Sequence, residues 1–186
     1  MALTRLGLNQ AVNLTSNVTG TLPVANGGTN LSSGFINGTT AVGKILQIKH
    51  ASTSTAASTT ANSWSDSNLS CSITPISASN TLLVEITQNG CAVSGSNFAS
   101  LKLRLLRDSS VLVDPFSGDV GYRYDSSAQN RVGSSGFVYK DTSHNTTSAI
   151  TYKTQIRADS GYGTVSVQTG SAYHSSMLIM EVASAW

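Results

Sequence analysis

From residue 43 onward, apolar and polar side chains alternate with a period of two, the spacing of half-buried strands and not of helices. In LKLRL, residues 101–105, Leu101, Leu103 and Leu105 point one way while Lys102 and Arg104 point the other. LSCSIT sets Leu69, Cys71 and Ile73 on one face. TLLVEIT turns Leu82, Val84 and Ile86 inward and Glu85 outward, and AITYKTQIRA groups Ile150, Tyr152, Thr154 and Ile156. KILQIKH at 44–50, GFVYK at 136–140, TVSVQT at 164–169 and SSMLIMEVAS at 175–184 read as further strands. RDSS at 107–110 reads as a hairpin turn into VLVD, and DSGYG at 159–163 as a turn back into TVSVQT. The stretches 52–63 and 115–135 carry no periodicity and read as loops. The pattern predicts about eight strands and no helix, hence an all-β fold built as an antiparallel β-sandwich.

Residues 1–42 follow another rule. Leu14, Val18 and Leu22 fall four apart, followed by Val24, Leu31, Phe35 and Ile36. Asn, Thr, Gly and Pro fill the gaps, and these are poor helix-interior residues. An extended, turn-rich stem is expected there, ahead of a head at 43–186. So sparse an apolar set cannot close a core alone. It needs the following domain, copies of itself, or another protein.

Composition sharpens this picture. Charged residues are 11% of the 186, against about 25% in an average soluble protein. Ser (31) and Thr (21) supply the polarity instead, so hydroxyls wet the surface and few charges keep copies apart. A net charge of +2 without a basic patch excludes nucleic acid as an expected partner. No run of 18 apolar residues exists to insert into a membrane, and MALTRLGLNQ lacks the apolar core of a signal peptide. Synthesis in a cytoplasm is therefore expected. Cys71 and Cys91 are too few for a disulfide framework and are expected as buried free thiols.

Catalytic patterns are missing. The histidines, His50, His144 and His174, are far apart in sequence and are expected on the surface or in loops. No Gly-x-Ser-x-Gly elbow or metal-ligand spacing occurs. The two glutamates, Glu85 and Glu181, are expected on outer or inter-subunit strand faces, which argues against a carboxylate pair for glycoside hydrolysis. No catalytic residue, metal or cofactor is expected. Loop aromatics carry more promise. Trp64, Tyr122, Tyr124 and Tyr162, with Arg123 and Asp125 beside them, are of the types that recognise sugars: rings cover apolar sugar faces and polar groups take hydroxyls. The same rings would equally fill the ends of the sandwich or a subunit interface.

NLTSNVTGTLPVANGGTN, residues 13–30, resembles a segment that recurs in tail fibres of tailed bacteriophages. GKILQIKHAS, NTLLVEIT and SSMLIMEVAS resemble strands of the C-terminal jelly-roll heads on fibres of marine and cyanobacterial phages. The resemblance implies a jelly-roll-like head on an intertwined, homotrimeric stem. Leu14, Val18, Leu22, Pro23, Val24, Gly27 and Gly28 would serve attachment and trimerisation there. It further implies a virion protein, made in the host cytoplasm, that is anchored to another tail or capsid protein and adheres to a host surface glycan or protein. A head fibre or capsid decoration protein of the same build is the alternative; a small glycan depolymerase or esterase is less favoured.

Overall fold

In the computed structural model the described residues are 45–95, 100–120, 131–159 and 163–184. Among them the secondary structure is ten strands and no helix: β1 Ile45–Thr53, β2 Ala57–Thr59, β3 Ser65–Ile73, β4 Thr81–Gly95, β5 Leu101–Arg107, β6 Ser110–Val120, β7 Arg131–Asp141, β8 Ile150–Ala158, β9 Gly163–Val167 and β10 Ser175–Val182. All pairings are antiparallel. The first sheet runs β1-β10-β4-β9-β2, with β7 on the other side of β4; the second runs β3-β8-β5-β6. The long β4 organises the first sheet. Its first half pairs with β10 and its second half with β9, so β9 and β10 lie end to end along one side of it. The expected stem and its candidate attachment residues, Leu14, Val18, Leu22, Pro23, Val24, Gly27 and Gly28, lie outside the described residues.

Alternation fixes which side chains meet between the sheets. Leu82, Val84 and Ile86 of β4, Met177 and Ile179 of β10, Leu69 and Ile73 of β3, Tyr152 of β8 and Leu105 of β5 form one apolar cluster. Cys91, Val93, Leu101, Leu103, Ile156, Val165 and Val167 form a second. Each fully buried Leu or Ile contributes roughly 1.5–3 kcal/mol.

A polar belt lies between the clusters. Along β4 the inward order is Ile86, Gln88, Cys91; along β8 it is Tyr152, Thr154, Ile156. Ser67, Gln168 and Ser175 complete the belt, and all five are fully buried. Ser67 Oγ donates to Thr154 Oγ1, which donates to Gln88 Oε1 (2.9 Å). Gln88 Nε2 donates to Ser175 Oγ at 3.0 Å. With the Gln168 amide oriented to satisfy its neighbours, its nitrogen donates to the Ser67 and Val167 carbonyls and its oxygen accepts from Gln88 and Ser175.

Several expectations are corrected. The stretch 52–63 contains β2, because Ala57 and Thr59 find a partner in β9 and Ala57 packs on the second cluster. The stretch 115–135 is strand at both ends, as β6 and β7 run into it. The connection after β8 does not close a hairpin: β8 belongs to the second sheet and β9 to the first. The RDSS turn is as expected, with Arg107 paired to Ser110 and Asp108 at φ 53°. Cys71 and Cys91 are buried free thiols.

Glu181 is not on an outer face. It is fully buried, because neutral donors converge on its carboxylate: Gln47 Nε2 and Asn80 Nδ2 at 2.6 Å, and the amides of Ile76 (2.9 Å) and Ser77 (3.2 Å). His144 is buried as well, its ring nitrogens 2.8 Å from the Asn80 carbonyl and 3.2 Å from that of Thr146. Glu85, His50 and His174 are exposed as expected.

Candidate functional site

The edge of β3 is broken by a bulge. Asp66 pairs with Gln155 and Ser70 with Lys153, so three residues of β3 stand against one of β8. Asn68, inside the bulge, has φ 64°, a left-handed conformation that Asn tolerates better than most residues. Its side-chain amide donates to the carbonyls of Thr55 (3.4 Å) and Ala56 (3.1 Å), which ties the β1–β2 connection against the bulge.

Between them opens a cleft of about 450 Å³. Thr53 and Thr55 line it from the β1 side, Asn68 and Ser70 from β3, and Thr151 from β8, with Leu69 and Thr154 reaching it from the core. Asp66 and Lys153 supply its charges. Hydroxyls, an amide and one ion pair make a surface that both donates and accepts hydrogen bonds, as a polyhydroxylated ligand requires.

The ion pair is anchored. Asp66 accepts from Gln155 Nε2 at 2.6 Å and from Lys153 Nζ at 3.0 Å. Partial burial alone would raise its pKa, but these hydrogen bonds and the charges of Lys153 and Arg104 outweigh that and hold the carboxyl below its ordinary value. It is therefore an acceptor at neutral pH. Gln155 Oε1 in turn accepts from Arg104 Nε (2.8 Å) and Nη2 (2.7 Å), and Arg104 Nη1 reaches Asp114 at 3.3 Å.

Trp64 stands at the far end of this strip. Its ring lies beneath two guanidiniums, with Cζ of Arg104 and of Arg157 4.5 Å and 4.8 Å from the ring centroid. Cation–π attraction at such partly exposed sites is worth about 0.5–1 kcal/mol each. Trp64 thus connects, through Arg104 and Gln155, to the Asp66 carboxylate in the cleft. Tyr122, Arg123, Tyr124, Asp125 and Tyr162 lie outside the described residues. Asp66, Asn68 and Lys153 were not singled out by the sequence. Asn68 directly precedes LSCSIT, and burial alternates unbroken from Ser67 through Ile73, so nothing in the string marks the bulge.

The buried carboxylates are engaged elsewhere. Asp141 accepts from Tyr152 Oη (2.6 Å), Arg107 Nη1 (2.6 Å) and the Ser143 amide (2.9 Å). Burial works to raise its pKa, and these bonds overcome it and lower it; burial and Asp141 together push the Tyr152 phenol up. Among the described residues no group of three or more His, Cys, Asp or Glu is placed to hold a metal ion. No helix there is long and apolar enough to cross a membrane. The chain matches no protein-family model and no curated protein.

Proposed function

We propose that this chain is a tail-fibre protein of a tailed bacteriophage, a homotrimeric virion component that adheres to a host surface glycan or protein. The strand orders β1-β10-β4-β7 and β3-β8-β5-β6 support a jelly-roll sandwich for the head, an architecture common among virion and lectin domains. Residues 1–42 would attach it to another tail or capsid protein.

The observation that carries the adhesive reading is the hydroxyl-lined cleft beside the anchored Asp66–Lys153 pair. Its carboxylate is already bonded to Gln155 and Lys153, which suits fixed recognition better than proton transfer. Individual contacts to sugar hydroxyls are weak, and several heads on one particle multiply them. Trp64, with Tyr122, Arg123, Tyr124, Asp125 and Tyr162, would extend the binding surface.

Binding of the fluorescently labelled full-length chain to an array of bacterial surface polysaccharides tests this. Retention on a subset of glycans is expected, falling about tenfold or more for Lys153→Ala. Binding that is indifferent to Lys153, or release of shortened saccharide from the array, would defeat the reading.

A further inference from the structure

The two outer faces of the fold differ in kind. On the second sheet, Arg104, Lys153 and Gln155 are held by Asp66 and Asp114 in a wetted, hydrogen-bonded strip. On the first sheet, register places Ile48, Met180 and Leu83 side by side, with Lys140 ending the row. The next row runs His50, Leu178, Glu85 and Val138. Ile48 is 55% exposed and Val138 61%.

β10, at the centre of this face, is apolar on both sides. The inward residues of β10 fill the core, and the outward Leu178 and Met180 are apolar too, so MLIM does not alternate. Strands read this way when both of their faces are covered. A contiguous apolar face on a soluble chain marks an interaction surface.

What covers it is argued by the two charges on the same face. Glu85 and Lys140 are of opposite sign, one register row apart. Neither side chain is in an ion pair with another described residue. A second copy of the chain can set Lys140 against Glu85, so the face is complementary in charge to itself. Four strands about 4.8 Å apart and about eight residues long give a face on the order of 500 Å². Two such faces bury about 1,000 Å², the threshold of a specific interface.

We propose that copies of this chain pack against one another through the outer face of the first sheet, with Glu85 of one copy facing Lys140 of the next. This gives the self-association in the fibre reading a surface, and it rests on that reading only for the number of copies.

The test is light scattering and sedimentation of the full-length chain across a concentration series. The wild type is expected as a multimer. Val138→Glu, at an exposed position that leaves the fold intact by circular dichroism, is expected to weaken association by about 100-fold. Glu85→Lys sets like charges together and is expected to weaken it about tenfold; adding Lys140→Glu is expected to restore it. A monomeric wild type, or a multimer indifferent to Val138→Glu and to the charge swap, overturns the proposal. A dimer that dissociates in Val138→Glu supports this surface while sinking a trimeric fibre, and failure to bind any glycan leaves the surface untouched.

Discussion

Thr154 Oγ1 donates to Gln88 Oε1 across 2.9 Å, and this bond joins the second sheet to the first in the middle of the core. It holds because each neighbour is itself satisfied: Ser67 donates to Thr154, Gln88 to Ser175, and Gln168 closes the network. A slip of β4 by one residue would turn Gln88 to the outer face and leave the others unpaired, so the belt fixes register as well as adding bonds.

Gln88→Leu is therefore expected to destabilise the fold although it adds an apolar side chain to the core. Thr154 and Ser175 each lose a partner while staying buried, at about 1–3 kcal/mol per orphaned group. Thr154→Val removes one donor and one acceptor and costs about 1–2 kcal/mol. Because the two share a bond, the double variant is expected to cost less than the sum. Urea unfolding of the single and double variants measures this, and strict additivity would mean the two side chains are not coupled.

Gly90 marks the point where β4 changes partners. It has φ +61°, and the register of β4 against β7 shifts between Gln88 and Cys91. A Cβ there would meet the Thr169 amide nitrogen at 2.6 Å and Tyr173 Cβ at 2.9 Å. The backbone amide cannot move aside, since Thr169 is bonded to the Gly90 carbonyl through both its amide and its hydroxyl. Gly90→Ala is expected to cost about 2 kcal/mol or more, from left-handed strain and the clash together. Gly133→Ala, with open space around the added Cβ, is the control and is expected to change little. Equal melting temperatures for the two variants would contradict this account.

Acid is expected to unfold the protein through its buried carboxylates. Asp141 and Glu181 have ordinary values of 3.8 and 4.5, and both are lowered in the fold by hydrogen bonds that outweigh burial. Lowered carboxyls contribute stability that is fully present above the unfolded values and is lost as pH falls through the folded ones. Stability should be flat above about pH 5 and fall steeply below about pH 4. Asp141→Asn is expected to lose about 2–4 kcal/mol at pH 7, since it leaves Arg107 and Tyr152 facing a neutral amide. Its remaining stability should then depend less on acid than that of the wild type. Parallel pH profiles for the two proteins would assign the acid sensitivity elsewhere.

How far the sequence led depended on what lay on the second face of each strand. Leu101, Leu103 and Leu105 are legible as core because Lys102 and Arg104 opposite them are charged, so contrast survives in the string. In β10 the contrast is gone, since Leu178 and Met180 are as apolar as Met177 and Ile179, and the string alone points Glu181, as a lone charge, outward. Its burial depends on donors from residues 47, 76, 77 and 80, which only the folded chain assembles. Alternation puts Thr154 on the inward face, but its partner Gln88 is 66 residues away. The cleft was invisible for the same reason: β1, the bulge at Asn68 and β8 each bring hydroxyls that are unremarkable in so Ser- and Thr-rich a chain.

The thiols offer a probe of how tightly the two apolar clusters are closed. Cys91 is fully buried in the second cluster, and burial pushes its thiol up to about 12. Cys71, near the β3 edge in the first cluster, is 6% exposed and is also raised by burial. Thiolate is the reactive form, so at pH 8 both should react with an aromatic disulfide reagent only through opening of the fold. Cys71 is expected to react first, because fraying of the edge strand exposes it, whereas Cys91 requires β4 itself to separate. Both should react at once in urea. Gln88→Leu should speed both reactions in proportion to its loss of stability, since it loosens the belt that separates the clusters. Immediate reaction of Cys91 in the native protein would show that the second cluster is open to solvent and that the belt does not close it.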